Sequence, residues 1–385
     1  INDSLANLPI AKRMRWGSKK AEFVRPVQWA VLLFDGQVCR ETILGVEAGN
    51  ASRGHRFHSD GEITINSPAS YAEQLEKAFV IVDFNRRRNI IRQGVTALAN
   101  SINGIAVIDE GLLDEVSALS EWPVPLMGRF EEHFLDVPAE ALISSMKEHQ
   151  KYFHLVDSNN QLMSAFVTVA NIESKDPAQV IDGNERVIRP RLADAAFFYK
   201  NDRQASLSSR RDSLKQVVFQ AELGSVYDKT ERVALLAEAL AEVTGGDGKV
   251  ARRAAELSKS DLVSDMVVEF ADLQGTMGRY YALHDGEDAE IAEALFEQYL
   301  PRFSGDDLPL TATGVMLALA DRLDSLVGIF SIGQQPSGSR DPFALRRASL
   351  GVLRIMVERQ VDMDLGLAIS LAAKPFAVGS DDIEV

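Results

Sequence analysis

VMLALADRLDSLVGIF, residues 315–330, is the stretch on which the fold turns. Val315, Leu319, Leu323, Leu326, Val327 and Phe330 recur at helical spacing and form an apolar stripe. Asp321, Arg322 and Asp324 break the run, which is too short and too charged to span a bilayer and reads instead as a helix of a helical domain. Outward from it, the chain keeps this character from about residue 207. Residues 230–243 are rich in Ala and Leu, with Gly245, Gly246 and Gly248 to stop them. Over 261–273, Leu262, Val263, Met266, Val267, Phe270 and Leu273 predict another amphipathic helix with Asp261, Asp265 and Asp272 on its wet side. Before residue 205 the pattern differs. The run VQWAVLLF (27–34), bounded by Pro26 and Asp35-Gly36, predicts a strand that pairs as a hairpin with QVCRETILGV (37–46). Helical spacing over 69–101 carries Arg86, Arg87, Arg88 and Arg92 and stops before Gly104. A helix over 139–148 then leads into strand, turn and strand: KYFHLVD, Ser158-Asn159-Asn160, LMSAFVTVAN. The expected fold class is α+β, with a mixed strand and helix domain over 1–205 followed by an all-helical domain over 206–385. There is no internal repeat.

A chain of 385 residues suits two domains, and 46% hydrophobic with 25% charged residues excludes a disordered or collagen-like polymer. Cys39 is the only cysteine, which excludes an intramolecular disulfide or a Cys-rich zinc site and fits a reducing, cytoplasmic setting. The start at Ile1, with no Met and no basic segment before an apolar run, suggests a piece of a longer protein that carries no signal peptide. The net charge of -15 is unevenly spread. Residues 1–205 hold 23 Lys and Arg against 27 Asp and Glu, net -4; residues 206–385 hold 18 against 29, net -11. Such a balance argues against indiscriminate binding to DNA or RNA backbones, so any nucleic-acid contact has to be local.

Several groups could carry chemistry. His55-x-x-His58 lies beside Asp60 and Glu62, but Gly54, Ser59 and Gly61 mark a loop, so a solvated or RNA-facing loop is preferred to a metal site. Asp261 with Asp265, and Asp321 with Asp324, fall at helical spacing and could gather a cation, although a solvated helix face is the plainer reading. ALADRLDSL (318–326) resembles the last helix of an HD-type phosphohydrolase, in which the Asp of an A-D-R-L setting closes a metal site. The helix that would supply the His-Asp pair reads ELSKSDLV (256–263), with Ser260 where the His would stand, and no His lies between His154 and His284. Asp261 and Asp321 are therefore read as vestigial positions on a scaffold that has lost its metal chemistry. In SGSRDPFALRRASLGVLRI (337–355), Asp341 and Pro342 predict a helix start, and Arg340, Arg346 and Arg347 either contact an RNA backbone or, the preferred reading, pair with acidic helices of the same domain. In NERVIRPRLADAAFFYKNDR (184–203), Arg186, Arg189, Arg191 and Arg203 accompany Phe197, Phe198 and Tyr199. That mixture suits single-stranded RNA, or a helix that buries its aromatics and wets its arginines.

MRWG, FVRPV, RGHRF, VPAEALISSMKEHQKYF, VANIESKDP, GNERVIRPRLADAAFF, EFADLQGTMGRYYA, LPRFSGDDLP and SGSRDPFALRRASLGVLRI, in this order, resemble the β subunits of bacterial two-subunit glycyl-tRNA synthetases. The resemblance runs from the first residues to about Val357. It implies an α2β2 class II enzyme whose α subunit activates glycine with ATP and Mg, while the β subunit recognises and positions tRNA-Gly. It further implies that the first half is like the B3/B4 domain of phenylalanyl-tRNA synthetase and the second is HD-like, and that an N-terminal segment and a helical anticodon-binding domain lie outside this chain. No class II catalytic motif is found, so this chain is not expected to activate glycine alone or to hold a cofactor. The expected partners are the α subunit and tRNA-Gly, with neither membrane nor DNA. Two other readings are a metal-dependent HD-type phosphohydrolase and a structural scaffold that only docks α.

Overall fold

Alternating apolar residues in VPLMGR and LMSAFVTVA become neighbouring antiparallel strands. In the computed structural model, which describes residues 1–18 and 20–376, these strands sit in a four-stranded sheet. The order is Ile105–Ala106, Phe153–Val156, Leu162–Ala170, Val124–Arg129, and every pair is antiparallel. The period of two sends Phe153, Leu155, Ala165 and Val167 to one face, where they pack on Ile91, Val95 and Ala99 of the helix Phe84–Ser101 and Leu112, Leu113 and Val116 of the helix Glu110–Leu119. Phe166 points the other way, stacks on Tyr152 and lies across Gly128, where a Cβ would stand 2.5 Å from the ring. Asp83 and Asp109 cap the two helices through the amides of Arg86 and Leu112.

Before this sheet the chain forms short strand pairs. The long hairpin expected over 27–46 is broken up: Leu33–Phe34 pairs with Gln37–Val38 across Asp35-Gly36, whereas Ala30–Val31 runs parallel to Val46–Gly49. Asp35 and Gly36 both have positive φ, as the tight two-residue turn requires, and Leu44-Gly45 repeats that geometry before the chain can extend the first ladder. The helix expected over 69–101 is also interrupted. Tyr71–Lys77 ends at Phe79, whose φ is 62°, and Asp83 starts the next helix. Arg86, Arg87, Arg88 and Arg92 form no free basic patch: Arg86 pairs with Glu76, Arg88 with Glu110 and Asp114, Arg92 with Glu110, and Arg87 donates to the carbonyls of Ile81, Val82 and Ser117.

The chain divides into two units: Ile1–Leu135 with Ser145–Pro190, and Asp136–Ser144 with the residues from Arg191 onward. The division falls inside the helix Pro177–Asp202, at Pro190, and residues 377–385 of the expected 206–385 domain lie outside the described residues. The second unit is built around the helix Ala312–Ser331, which touches the helices Val226–Val243, Gly248–Leu257, Ala289–Glu297, Leu345–Glu358 and Leu365–Ala373. With neighbours on all sides it is buried all round, Met316, Leu317, Ala318, Ala320 and Ile329 included, so the expected single stripe is too narrow. Two further expectations change. The unit carries one short hairpin, Val218–Gln220 with Gly224–Ser225, and so is not all-helical. Residues 261–273 form three short pieces, Ser260–Val263, Asp265–Glu269 and Ala271–Leu273, because side chains take over the amides: Ser264 caps Val267, and buried Asp202 accepts from the amides of Asp265 and Met266 and from the Tyr281 hydroxyl. Gly248 begins a helix rather than stopping one.

The entry to the central helix is held by Glu297, a buried carboxylate that accepts from the Leu310 and Thr311 amides and the Thr311 hydroxyl. A Cβ on Gly314 would overlap the Glu297 carboxylate. Gly314→Ala is expected to destabilise the protein by about 1–3 kcal/mol, read from denaturant midpoints at constant slope, despite the better helix propensity of alanine.

Candidate functional site

Asp261 and Asp324 of the second unit are buried and Asp321 is partly so, and each is matched by donors from another element. Asp321 and Asp324 sit one turn apart on Ala312–Ser331, facing Lys229 of Val226–Val243. The Lys229 ammonium lies 3.3 Å from Asp321 Oδ1 and 3.1 Å from Asp324 Oδ2, and donates to the Ser325 hydroxyl. Arg232, one turn on, donates to Asp324 at 2.7 Å. Lys259, with a left-handed backbone (φ 65°), lays its ammonium 4.0 Å from the Tyr299 ring centre and 3.4 Å from Asp321 Oδ2. Asp261 Oδ2 accepts from the amides of Gly275 (2.6 Å) and Gly278 (3.2 Å). Arg322 donates to four carbonyls, of Gln298, Ala318, Tyr299 and Pro301.

The electrostatics follow from burial set against neighbours. Desolvation alone would raise the Asp321 carboxyl, yet Lys229 and Lys259 outweigh it and hold its pKa far below the usual range. Desolvation lowers Lys229, but Asp321 and Asp324 more than restore it, so it stays charged. Lys259 has less compensation, and burial with Lys229 nearby drives its pKa down. Asp261 is pushed up because burial exceeds the help of the Gly275 and Gly278 amides.

Of the two positions singled out as vestigial metal ligands, Asp321 therefore stands between two ammonium groups, and Asp261 is held by backbone amides. A dication here would face Lys229 and Lys259 directly and would have to displace both. Among the described residues, no three His, Cys, Asp or Glu side chains come together as a metal site. The solvated-face reading of these carboxylates is corrected: Asp261 and Asp324 are 2% and 1% exposed, and Asp265, on a separate short helix, is exposed and accepts from Asn201. Lys229, Lys259 and Tyr299 were not readable as partners, since no spacing rule links positions so far apart in sequence.

The arginines separate into two groups. Arg186 pairs with Asp182, Arg189 with Glu131 at 2.6 Å, and Arg203 bonds His284 Nδ1 and lies over Tyr199. Arg191, Arg340, Arg346 and Arg347 are exposed and, among the described residues, have no ion-pair partner, so the internal pairing preferred for the last three does not form. Asp341 caps the helix Leu345–Glu358 by accepting from the amides of Leu345 and Arg346, but from outside it; Pro342 is not in the first turn, and Ala344 takes the left-handed capping position. Around residue 197 the aromatics are not all buried: Phe197 is 64% exposed.

His55 and His58 are struts. His55, buried, accepts at Nδ1 from the Phe57 amide and so donates from Nε2 to the Asn171 carbonyl at 2.6 Å. His58 Nε2 accepts from the Glu173 amide, and the two rings stack at 4.6 Å. Both nitrogens of His55 are engaged, which leaves it no lone pair for a metal.

Comparison with known proteins places these features in a family. The family model described as the glycyl-tRNA synthetase beta subunit matches residues 1–384. A glycine–tRNA ligase beta subunit of Marinobacter nauticus is 60% identical over 380 residues, covering 98% of this chain and 55% of that protein. Those of Hahella chejuensis and Chromohalobacter salexigens are each 57% identical over 373 residues, covering 97% of this chain and 54% of theirs. The chain spans about half the length of the curated relatives it matches.

The charge cluster makes two unlike predictions for one chemical change. Asp321→Asn strands Lys259, leaves Lys229 with Asp324 alone, and is expected to cost about 3–5 kcal/mol. Asp261→Asn keeps an oxygen for the glycine amides, removes a charge that burial disfavours, and should cost under ~1 kcal/mol. With its folded pKa depressed, Asp321 contributes its full stabilisation above the unfolded carboxylate pKa, near 4, and loses it as the pH falls below that. Denaturant unfolding at pH 7 and across the acid range checks both.

Proposed function

This chain belongs to the glycyl-tRNA synthetase beta subunit family, and from that premise we propose that it is the tRNA-binding part of a glycine–tRNA ligase subunit, acting with an α subunit that activates glycine. The observation that carries this reading is the set of free guanidinium groups at Arg340, Arg346 and Arg347. Arg346 and Arg347 lie in the first turn of the helix Leu345–Glu358 and Arg340 in the segment before it, on a half-chain of net charge -11; among the described residues none of the three forms an ion pair, and Asp341, which feels the charges of Arg346 and Arg347, bonds backbone amides instead. Guanidinium groups left free while others are paired are suited to phosphate oxygens, which they engage in bidentate fashion. Arg191 is a fourth free cation, whereas Arg186, Arg189 and Arg203 are engaged and take a smaller part.

The second unit is read as an HD-like helical scaffold in which Lys229 and Lys259 supply the positive charge that a metal would otherwise bring to Asp321. This favours a binding role over metal-dependent phosphohydrolysis. The first unit is read as a B3/B4-like domain. In this reading the chain holds no cofactor, and ATP and Mg belong to the α subunit. An acidic chain with local cationic patches gives weak affinity for arbitrary phosphate backbones and confines binding to RNA whose phosphates fit those patches.

Reversing Arg346 and Arg347 to Glu in the full-length subunit, assembled with α, is expected to weaken tRNA-Gly binding by at least about 10-fold and to lower the salt slope by roughly one for each phosphate that is no longer neutralised. Glycine activation, read as ATP–pyrophosphate exchange, should be unchanged, and Arg186→Glu should have a much smaller effect. Unaltered tRNA affinity in the double variant would favour the scaffold reading.

A further inference from the structure

The loop 53–58 is held so firmly from beneath that what it presents above is effectively rigid. The His55 amide donates to the Ala78 carbonyl at 2.8 Å, and the His55 and His58 rings are fixed to the Asn171 carbonyl and the Glu173 amide. A Cβ on Gly54 would stand 2.6 Å from both the Ala78 Cβ and the Ser59 hydroxyl, so only glycine lets the loop lie this close. His58 packs on Phe79, which meets the Trp122 ring at 5.0 Å.

On the outer side the loop does the reverse of what folding favours. Phe57 is 72% exposed and Trp29 44%, and each ring is covered by a guanidinium: Arg56 lies 5.6 Å from the Phe57 ring centre and Arg53 5.8 Å from that of Trp29. Trp29, Arg53, Gly54 and Arg56 line one cleft of about 680 Å³, within the range of small-ligand sites. Asp60 and Glu62 line it too, and Glu62 is the cross-strand neighbour of Arg53, yet among the described residues neither carboxylate comes within 4 Å of either guanidinium. Residues 1–58 hold 9 Lys and Arg against 5 Asp and Glu, net +4, in a chain of net -15.

We propose that Trp29, with Arg53 and Arg56 in this cleft and the exposed Phe57 that adjoins Arg56, forms a stacking site for unpaired nucleotides of RNA. Exposed rings offer faces on which a base can stack, and guanidinium groups within 6 Å of those rings, free of ion pairs, suit the adjoining phosphates. A double helix buries its base faces and could use only the charge, so the platform selects single-stranded RNA. The inference rests on the tRNA-binding reading above but assigns a separate site, in the first unit, that recognises a different feature of the RNA.

The test uses full-length subunit assembled with α, carrying Trp29→Leu or Phe57→Leu, with tRNA-Gly and a single-stranded RNA hexamer as probes and the duplex of that hexamer as control. Each substitution is expected to weaken the single-stranded probe by about 5-fold or more, with the salt slope unchanged because no charge is removed. Duplex binding should not move, and Trp29→Tyr, which keeps a ring, should restore affinity. Both positions are exposed, and an unchanged melting temperature confirms that folding is intact. If both leucine variants bind hexamer and tRNA normally while the Arg346/Arg347 reversal weakens tRNA, the platform is overturned and the tRNA-binding reading stands. If neither set changes tRNA affinity, both fail. If the leucine variants instead loosen the α subunit and leave RNA affinity intact, the face is a protein interface and the proposal is wrong.

Discussion

A single ammonium group, that of Lys229 between Asp321 and Asp324, anchors the helical unit. The helix Ala312–Ser331 is enclosed by other helices, so any charge it carries must find its partner inside the protein. Asp324 is shared by Lys229 and Arg232, Asp321 by Lys229 and Lys259, and Arg322 spends its donors on four carbonyls. Removing such ions from water costs several kcal/mol each, so the cluster is not a strong source of stability. What it specifies is register, because a slip of either helix by a residue would leave at least one buried ion unmatched.

The same requirement shapes the backbone around it. Lys259 reaches Asp321 from a left-handed conformation, and Asp261 is satisfied by the amides of Gly275 and Gly278, where a Cβ on Gly275 would strike the Tyr299 ring. Residues 260–273, whose amides are taken by Asp202 and Ser264, fold as short pieces rather than as one helix. Asp321, set one turn from Asp324 on the same helix, is thereby surrounded by side-chain cations.

Surface charge obeys a related rule. Arginines are freest to bind when no carboxylate has claimed them, and in this chain some claims are local, as with Asp182 on Arg186, while others come from far away in sequence, as with Glu131 on Arg189 or Glu110 on Arg88 and Arg92. Clusters that look alike in the sequence thus have different fates. The run Arg86–Arg87–Arg88 ties helices together, while Arg346 and Arg347 form no ion pair among the described residues, Asp341 beside them bonding backbone amides. Histidines repeat the point: the His55-x-x-His58 pair resembles ligands by spacing and serves as struts by contact.

By itself the sequence determined the family, through nine ordered blocks, together with the α+β class, the strand-turn-strand over 151–171 and the helix around 315–330. These are local matters, set by period, turn residues and residue identity along a short window. Tertiary structure alone decided that the central helix is buried on every side, that 261–273 breaks into pieces, and which arginines remain free. Those outcomes depend on which distant side chain arrives within about 3 Å of a charge or an amide. Coulomb and hydrogen-bond energies fall away over that distance scale, and sequence separation does not encode it.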